Sequence, residues 1–165
     1  MNENPMRQIR IEKVTVNIGC GDDKQKIEKA QQLLEKLAGG KPVITTSKKR
    51  STFGIAKDKP LGVKITLRKD RAEQFFNSVL KSVDSNVKES QIDKDGNINF
   101  GIKEYIDLPN VKYSPEIGML GMDVAATLER PGFRVKRRRV RKAIIGKNHK
   151  INKEDTINWL KQRGV

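Results

Sequence analysis

The stretch 41–68 constrains the fold most, because it places two strand patterns on either side of a cationic loop. Its ends, PVITT at 42–46 and VKITL at 63–67, are rich in β-branched residues, which pack well on a pleated sheet. In the second run, apolar residues alternate with cations and a hydroxyl: Val63, Lys64, Ile65, Thr66, Leu67 and Arg68. Successive side chains of a strand point to opposite faces. This strand is therefore predicted to have a buried apolar face and a polar face suited to a phosphate backbone.

Residues 47–60, between the two strands, are predicted to form a long basic loop. Five cations stand against a single acid, Asp58, and these cations are Lys48, Lys49, Arg50, Lys57 and Lys59. Gly54 and Pro60 favour turns. The alternative for the polar strand face is a solvated surface with ordinary lysines. The loop shifts the balance toward binding, because a rigid scaffold commonly displays its contacts on loops.

The overall charge favours a polyanionic partner. Among 165 residues, 35 Lys and Arg stand against 20 Asp and Glu, which gives a formal net charge of +15. Such an excess repels itself unless a polyanion neutralises it, and this points to nucleic acid or an anionic membrane surface. No apolar run approaches the roughly 20 residues of a spanning helix, and residues 1–10 lack the apolar middle of a signal peptide. We therefore expect a cytoplasmic protein that binds nucleic acid and no membrane.

Hydrophobic periodicity predicts a single domain, residues 1–165, of the α+β class. Strand patterns occupy residues 11–18, 42–46, 63–67, 98–103 and 122–129, the second from its β-branched residues rather than from alternation. Apolar residues at helical spacing occupy residues 24–38, 70–83 and a shorter segment after Asn152. Because helices and strands do not strictly alternate, we expect a mostly antiparallel sheet of about four to five strands. Helices should pack on one face and leave the other side open to a nucleic-acid partner.

Residues at the predicted helix ends supply further expectations. Asp22 or Asp23 is placed to cap the first helix and Asp70 the second, since Asp is a favoured N-cap. The pair Gly39-Gly40 should end the first helix, because glycine readily adopts the left-handed conformation found there. Trp159 lies near a helical apolar stripe and is expected to pack rather than to stack on a base.

Residues 131–150 have an abrupt change in composition. They contain no acid and nine cations: Arg134, Lys136, Arg137, Arg138, Arg139, Arg141, Lys142, Lys147 and Lys150. A solvated helix face normally mixes both signs, so a solvated tail is the weaker interpretation. A block of like charge repels itself when free, and we expect a basic arm or hairpin that lies along phosphates and is ordered on binding.

The turn Gly19-Cys20-Gly21 between a predicted strand and helix gives the sharpest enzymatic signal. A dinucleotide site has a third glycine where this chain has Lys24, and two acids at the helix start would repel a pyrophosphate. The alternative function is thus a nucleotide-dependent enzyme acting on RNA, with this turn as its phosphate cradle. The lone Cys20 and lone His149 lack partners for catalysis or metal binding. We expect no enzymatic activity, cofactor or metal site.

Several motifs resemble the L-five family of large-subunit ribosomal proteins, which bind 5S ribosomal RNA. They are KPVITT with the basic stretch after it at 41–50, PLGVKITLR at 60–68, VNIGCG at 16–21, FGIKEYIDLP at 100–109 and GMD at 121–123. The resemblance covers most of the chain in order. The arginine-rich segment after Arg130 makes the chain similar to the archaeal or eukaryotic branch. The resemblance implies a constituent of the large ribosomal subunit that anchors 5S ribosomal RNA in the central protuberance, with large-subunit ribosomal RNA and neighbouring ribosomal proteins as further partners.

The resemblance also implies site residues. It carries the 5S ribosomal RNA contact onto Asn17, Lys41, Thr45, Ser47, Lys48, Lys64, Thr66 and Arg68. The predicted set that binds ribosomal RNA is completed by Lys49, Arg50, Arg134, Lys136, Arg137, Arg138, Arg139, Arg141 and Lys142. The family approaches peptidyl-site transfer RNA with the tip of the central loop, here Thr52, Phe53, Gly54, Ile55, Ala56, Lys57, Asp58 and Lys59. A generic basic protein without preference among RNAs is the third interpretation, and only the family resemblance separates it from the first.

Overall fold

The protein is built on a five-stranded antiparallel sheet. The structure is a computed structural model that describes residues 4–50, 52, 54–82, 87–109 and 111–163. The strands are β1 Arg10–Gly19, β2 Val43–Thr46, β3 Pro60–Leu67, β4 Ile98–Ile102 and β5 Met122–Glu129. The α-helices are α1 Lys24–Ala38, α2 Asp70–Ser82, α3 Arg134–Arg137 and α4 Lys153–Gln162. Short 3₁₀ turns lie at Pro5–Arg7, Glu89–Gln91, Tyr105–Asp107 and Lys147–His149.

The longest strand, β1, lies at the centre of the sheet, whose order is β2-β3-β1-β5-β4. It pairs with β3 on one side, where Asn17 lies opposite Lys64, and with β5 on the other, where Asn17 lies opposite Asp123. Val14, Val16 and Ile18 of β1 are almost fully buried. The intervening side chains lie on the opposite face, because successive residues of a strand alternate.

A bulge interrupts this alternation near the start of β1. The pairing with β5 shifts between Ile11 and Lys13, so that Glu12 is the extra residue. A bulge lets two neighbouring residues share one face and increases the local twist. It brings the Glu12 carboxylate close to the basic residues that follow β5, as the ion pairs described below show.

The helices cover the apolar face of the sheet. Asp23 caps α1 by accepting hydrogen bonds from the backbone N–H groups of Gln25 and Lys26, and Gly39 ends it with φ 59°. The apolar stripe of α1 packs on β3, and that of α2 packs on β1. Trp159 of α4 is buried, with its ring 6.1 Å from that of Phe76 on α2. One core therefore joins the sheet to α1, α2 and α4.

The predicted fold class is confirmed, since the structure is an α+β sheet with an open face. The bounds of α1 and β5 agree with the sequence pattern, while β1 and β3 begin earlier than predicted. The proposed cap of α2 is wrong by one residue. Asp70 is the first helical residue, and the preceding Lys69 has a positive φ of 55°. The packing role predicted for Trp159 is confirmed.

Candidate nucleic-acid interface

A row of polar side chains crosses the middle of the open sheet face. Lys64 of β3, Asn17 of β1 and Asp123 of β5 are direct cross-strand neighbours, and Gly101 of β4 continues the row. Directly opposed residues of an antiparallel pair have Cβ atoms about 4.5 to 5.5 Å apart. The row thus offers an ammonium group, an amide and a carboxylate within reach of a single nucleotide.

Neighbouring rows extend this polar surface along the strands. Thr66 lies opposite Thr15, and Thr15 lies opposite Ala125. Thr45 of β2 lies opposite Gly62, which has no side chain to project from the open face. A Cβ added to Gly62 would come within 2.5 Å of the Ile18 carbonyl oxygen, so the close approach of β1 and β3 requires glycine here. Small and hydroxyl-bearing residues therefore surround the central row.

The basic loop 47–60 leaves the sheet at the Gly19 end of β1. Backbone hydrogen bonds of 2.9 Å close its base, from Ser47 N–H to the Lys59 oxygen and from Asp58 N–H to the Ser47 oxygen. The Lys59 ammonium forms an ion pair with Asp22 in the turn after β1. The loop base and the turn are thereby joined, and the cations Lys48, Lys49 and Arg50 are exposed to solvent.

The predicted tip of this loop is partly described. Thr52, Gly54, Ala56, Lys57 and Asp58 are exposed, whereas Ile55 and Lys59 are half-buried. Phe53, which the resemblance also places at the tip, lies outside the described residues.

The basic arm, residues 131–150, is fastened at the opposite end of β1. The Arg137 guanidinium donates to the carboxylates of Glu12 and Glu129, the latter at 2.8 Å. Glu129 also accepts from Arg10 at 2.9 Å, and its side chain is only 7% exposed. Arg68, at the end of β3, lies 3.8 Å from Glu12. Two carboxylates thus hold the start of the arm against the sheet.

A second contact fixes the other end of the arm. The buried guanidinium of Arg130 donates to the Lys150 carbonyl oxygen at 3.1 Å and pairs with Asp155 of α4 at 3.0 Å. The His149 ring nitrogen lies 2.8 Å from the Pro131 carbonyl oxygen, and its ring contacts Phe133 edge-on. The arm is therefore a loop whose first and last residues are held together by hydrogen bonds.

Most arm cations remain directed to solvent. Arg138 donates to the Arg141 carbonyl oxygen at 2.6 Å, which stabilises the turn. Within the described chain, no ion pair involves the exposed residues Arg134, Lys136, Arg138, Arg139, Arg141 and Lys142. A cleft of about 960 Å³ separates the arm from the sheet and is lined in part by Lys13, Thr127, Phe133 and Lys142.

The predicted residues accordingly fall into three groups. The sheet residues Asn17, Thr45, Lys64 and Thr66 share the open face, as the alternation predicts. Lys41 is exposed just before β2, and the loop and arm residues lie at opposite ends of β1. Arg137 differs from the other predicted arm residues because it is held by two carboxylates. Its predicted contact with RNA stays a prediction.

Sequence reasoning missed the acidic residues of this surface. Glu12 and Glu129 fasten the arm, and Asp123 stands inside the central row. Each interrupts an apolar or basic run at a strand position, which is the only local signal that they carry. Their roles depend on partners that are distant in sequence, as for Glu12 and Arg137, whose sequence separation is 125.

The Gly19-Cys20-Gly21 turn lacks the geometry of a phosphate cradle. The Asp23 carboxylate already accepts from two N–H groups at the start of α1, those of Gln25 and Lys26, and Asp22 adds a second negative charge. Cys20 is buried, and burial, with a smaller contribution from Asp23, raises the pKa of its thiol, while Lys26 opposes the shift. A raised pKa disfavours the nucleophilic thiolate. Among the described residues, no cluster of three metal-binding side chains is found.

No α-helix in the described ranges is both long and apolar enough to cross a membrane.

Comparison with known proteins identifies relatives over almost the whole chain. Residues 60–159 match the ribosomal L5P family C-terminus, and residues 4–55 match ribosomal protein L5. A large ribosomal subunit protein uL5 of Sulfurisphaera tokodaii is 52% identical over 96% of this chain and 91% of its own. The proteins of the same description from Sulfolobus acidocaldarius and Nanoarchaeum equitans are each 46% identical, over 97% of this chain and 90% and 95% of their own.

Proposed function

The chain belongs to the ribosomal protein L5 family and is a structural constituent of the large ribosomal subunit, and on this premise we propose that its open sheet face binds 5S ribosomal RNA. Membership of the family confirms the predicted non-enzymatic role in translation, the location in the cytoplasmic ribosome, and the association with ribosomal RNA and other ribosomal proteins. The finer assignment, to 5S ribosomal RNA, rests on the arrangement of the sheet.

The central polar row carries the proposal. Lys64 supplies a charge for a phosphate, while Asn17 beside it supplies an amide that can donate and accept. Thr15 and Thr66 add hydroxyls in the next row. RNA helices are recognised mainly through phosphates, sugar hydroxyls and shape, and unpaired bases through their edges. An open polar face between two basic segments meets both requirements.

The two basic segments extend the proposed contact beyond the sheet. β1 has ten residues and therefore spans about 33 Å between the loop and the arm. Cations at both ends would neutralise phosphates and supply much of the affinity, whereas the sheet residues would fix the register. Within the same proposal, the tip of the basic loop, around 52–59, contacts peptidyl-site transfer RNA.

A competition experiment tests the proposal. The protein is bound to labelled 5S ribosomal RNA near physiological salt, and excess transfer RNA or an unrelated structured RNA is added. We expect 5S ribosomal RNA to be preferred about a hundredfold, equivalent to about 2.7 kcal/mol. If transfer RNA and the unrelated RNA compete as strongly as unlabelled 5S ribosomal RNA, the protein is a generic basic RNA binder. The proposal of a specific site on the sheet would then be wrong.

The alternative, a nucleotide-dependent enzyme, has its own test. It requires saturable binding of ATP or NAD that is lost when Gly19 and Gly21 are replaced by bulkier residues. We expect no binding in a titration of either nucleotide, because the Asp23 carboxylate occupies the helix terminus that a phosphate would need.

A further inference from the structure

An exposed acid stands in the middle of the surface proposed to bind RNA. Asp123 follows Asn17 and Lys64 in the central row, on the face opposite the buried Val124. Its Oδ1 lies over Gly101 of β4, 3.5 Å from the position that a Cβ would take there. With no side chain at Gly101, the space next to the carboxylate is open to a ligand.

Nothing in the described chain explains this acid by protein structure. The carboxylate of Asp123 forms none of the hydrogen bonds or ion pairs found between described side chains, unlike Glu12 and Glu129. The cation in its row, Lys64, is two strands away, which is about 10 Å at the usual strand spacing. A phosphate would be repelled by Asp123, so its place on this face calls for a ligand group that donates hydrogen bonds.

RNA offers a carboxylate two kinds of donor, the ribose 2′-hydroxyl with its single O–H and the N–H groups of the base edges, and only a base edge can present two adjacent donors. A carboxylate has two acceptor oxygens and no donor. The Watson–Crick edge of guanine presents two adjacent donors, N1–H and N2–H₂, followed by the O6 acceptor. Adenine, cytosine and uracil each place an acceptor next to a donor on this edge. If the donor bonded one carboxylate oxygen, the lone pair of the neighbouring acceptor would repel the other carboxylate oxygen. Guanine is therefore the base that matches both oxygens of Asp123.

Asn17 completes the match. It lies directly opposite Asp123 on β1, and its amide can donate to the guanine O6 while Asp123 accepts from N1 and N2. On the far side of Asn17, Lys64 is placed for a phosphate. We propose that Asp123 is a specificity-determining residue that reads an unpaired guanine of the bound RNA together with Asn17.

This inference rests on the proposed 5S ribosomal RNA site. It predicts that loss of the Asp123 carboxylate weakens binding, whereas electrostatics alone would predict tighter binding. Asp123→Asn keeps one acceptor, replaces the other by a donor, and removes one negative charge from the protein. Glu28→Gln is the matched control, because Glu28 is an exposed acid on α1, on the helical side of the sheet. Removing an acid should strengthen binding to any polyanion.

Binding of both variants is measured with 5S ribosomal RNA and with an unrelated structured RNA. We expect Asp123→Asn to weaken the 5S complex by about tenfold or more, the scale of a lost bidentate base contact. Its affinity for the unrelated RNA should equal or exceed that of the wild type, as with Glu28→Gln. Kethoxal, which modifies N1 and N2 of unpaired guanine, should show one guanine protected by the wild type and exposed with Asp123→Asn.

Three results would overturn the inference. Tighter binding of Asp123→Asn to both RNAs would show that Asp123 only repels RNA and makes no favourable contact with it. Loss of the effect when Mg²⁺ is replaced by monovalent salt would assign Asp123 to a metal-bridged phosphate. An unchanged kethoxal pattern, with wild-type melting of the variant, would remove the guanine contact. A wild-type protein that does not prefer 5S ribosomal RNA would instead defeat the proposed function itself, and the inference with it.

Discussion

The basic loop and the basic arm stand at opposite ends of β1, and different forces hold them. The loop is fixed by backbone hydrogen bonds between Ser47, Asp58 and Lys59 that continue the pairing of β2 with β3. The arm is fixed by side chains, chiefly Arg137 on the carboxylates of Glu12 and Glu129. A cationic segment repels itself, and the comparison shows two ways of positioning one.

The difference has a consequence for the remaining charge. Loop closure uses peptide groups and one half-buried lysine, Lys59, and the strands on either side determine where the loop begins. Arm closure uses Arg137 together with Arg130, and it leaves most of the other arm cations directed to solvent. We therefore expect the arm to act mainly through charge and the sheet, with the loop base, to act through position.

The largest expected effect tests the arm as a source of charge. Replacing Arg138, Arg139, Arg141 and Lys142 together by glutamine should weaken binding to any structured RNA by about a hundredfold at 150 mM salt, because each lost phosphate contact removes about 0.7 to 0.9 from the salt slope. The slope of log K against log salt should fall by about 3. Fluorescence anisotropy across a salt series measures both quantities.

A matched control separates location from charge. Lys24, Lys26, Lys36 and Lys81 are exposed on α1 and α2, on the side away from the open face. Their replacement by glutamine changes the net charge equally and should change the slope by less than half as much. Equal slopes for the two variants would mean that the arm has no privileged position.

The second prediction concerns the attachment of the arm. Arg137→Ala leaves the carboxylate of Glu129, 7% exposed, with Arg10 as its remaining partner. Loss of a partner from a buried polar group costs about 1–3 kcal/mol of unfolding free energy. Urea denaturation should show this loss, and trypsin should cut the arm faster than in the wild type.

Arg139→Ala is the control for that variant, because Arg139 is exposed and forms no ion pair in the described chain. Its unfolding free energy should stay within about 0.5 kcal/mol of the wild type. If Arg137→Ala is no less stable than Arg139→Ala, the two carboxylates do not hold the arm.

The third prediction tests whether the sheet supplies specificity. Lys64→Ala with Arg68→Ala should weaken 5S ribosomal RNA binding by about tenfold to thirtyfold, as expected for two phosphate contacts. Unlike the arm variant, it should also reduce the preference over transfer RNA, because Lys64 lies beside Asn17 and Asp123. Competition binding measures the preference. Lys36→Ala with Lys81→Ala is the control of equal charge, and an unchanged preference in the sheet variant would place specificity elsewhere.

The side chains on the open sheet face could be predicted from the sequence more completely than the attachment of the arm. The alternation from Val63 to Leu67 determines which side chains point outward, because successive side chains alternate and the pairing with β1 has no register shift here, and the structure agrees. The strand of the GMD motif was likewise delimited correctly as Met122–Glu129. These features depend on local periodicity and on turn residues.

The attachment of the arm could not be predicted because it depends on contacts between distant residues. The bulge at Glu12 inserts one residue without any change in composition, and it turns a carboxylate toward Arg137. Glu129 looks like an ordinary strand-end acid until its partners on β1 and α3 are known. The sequence therefore indicated an arm that is ordered on binding RNA, without any sign of the carboxylates that hold it in the free chain.

The smallest effect is expected at the loop base, with Cys20 as its reporter. Cys20 is 8% exposed and donates its backbone N–H to Leu61 beside that base. Because burial raises the pKa of its thiol, alkylation by iodoacetamide should be slow at pH 7.5 and should increase at a higher pH than for a free cysteine.

Lys59→Ala removes the ion pair to Asp22. An exposed pair is worth up to about 1 kcal/mol, so alkylation should accelerate by at most about fivefold. Arg137→Ala, at the far end of β1, should leave the rate unchanged. A comparable acceleration in both variants would show that the loop and the arm are coupled through the sheet and are not held independently.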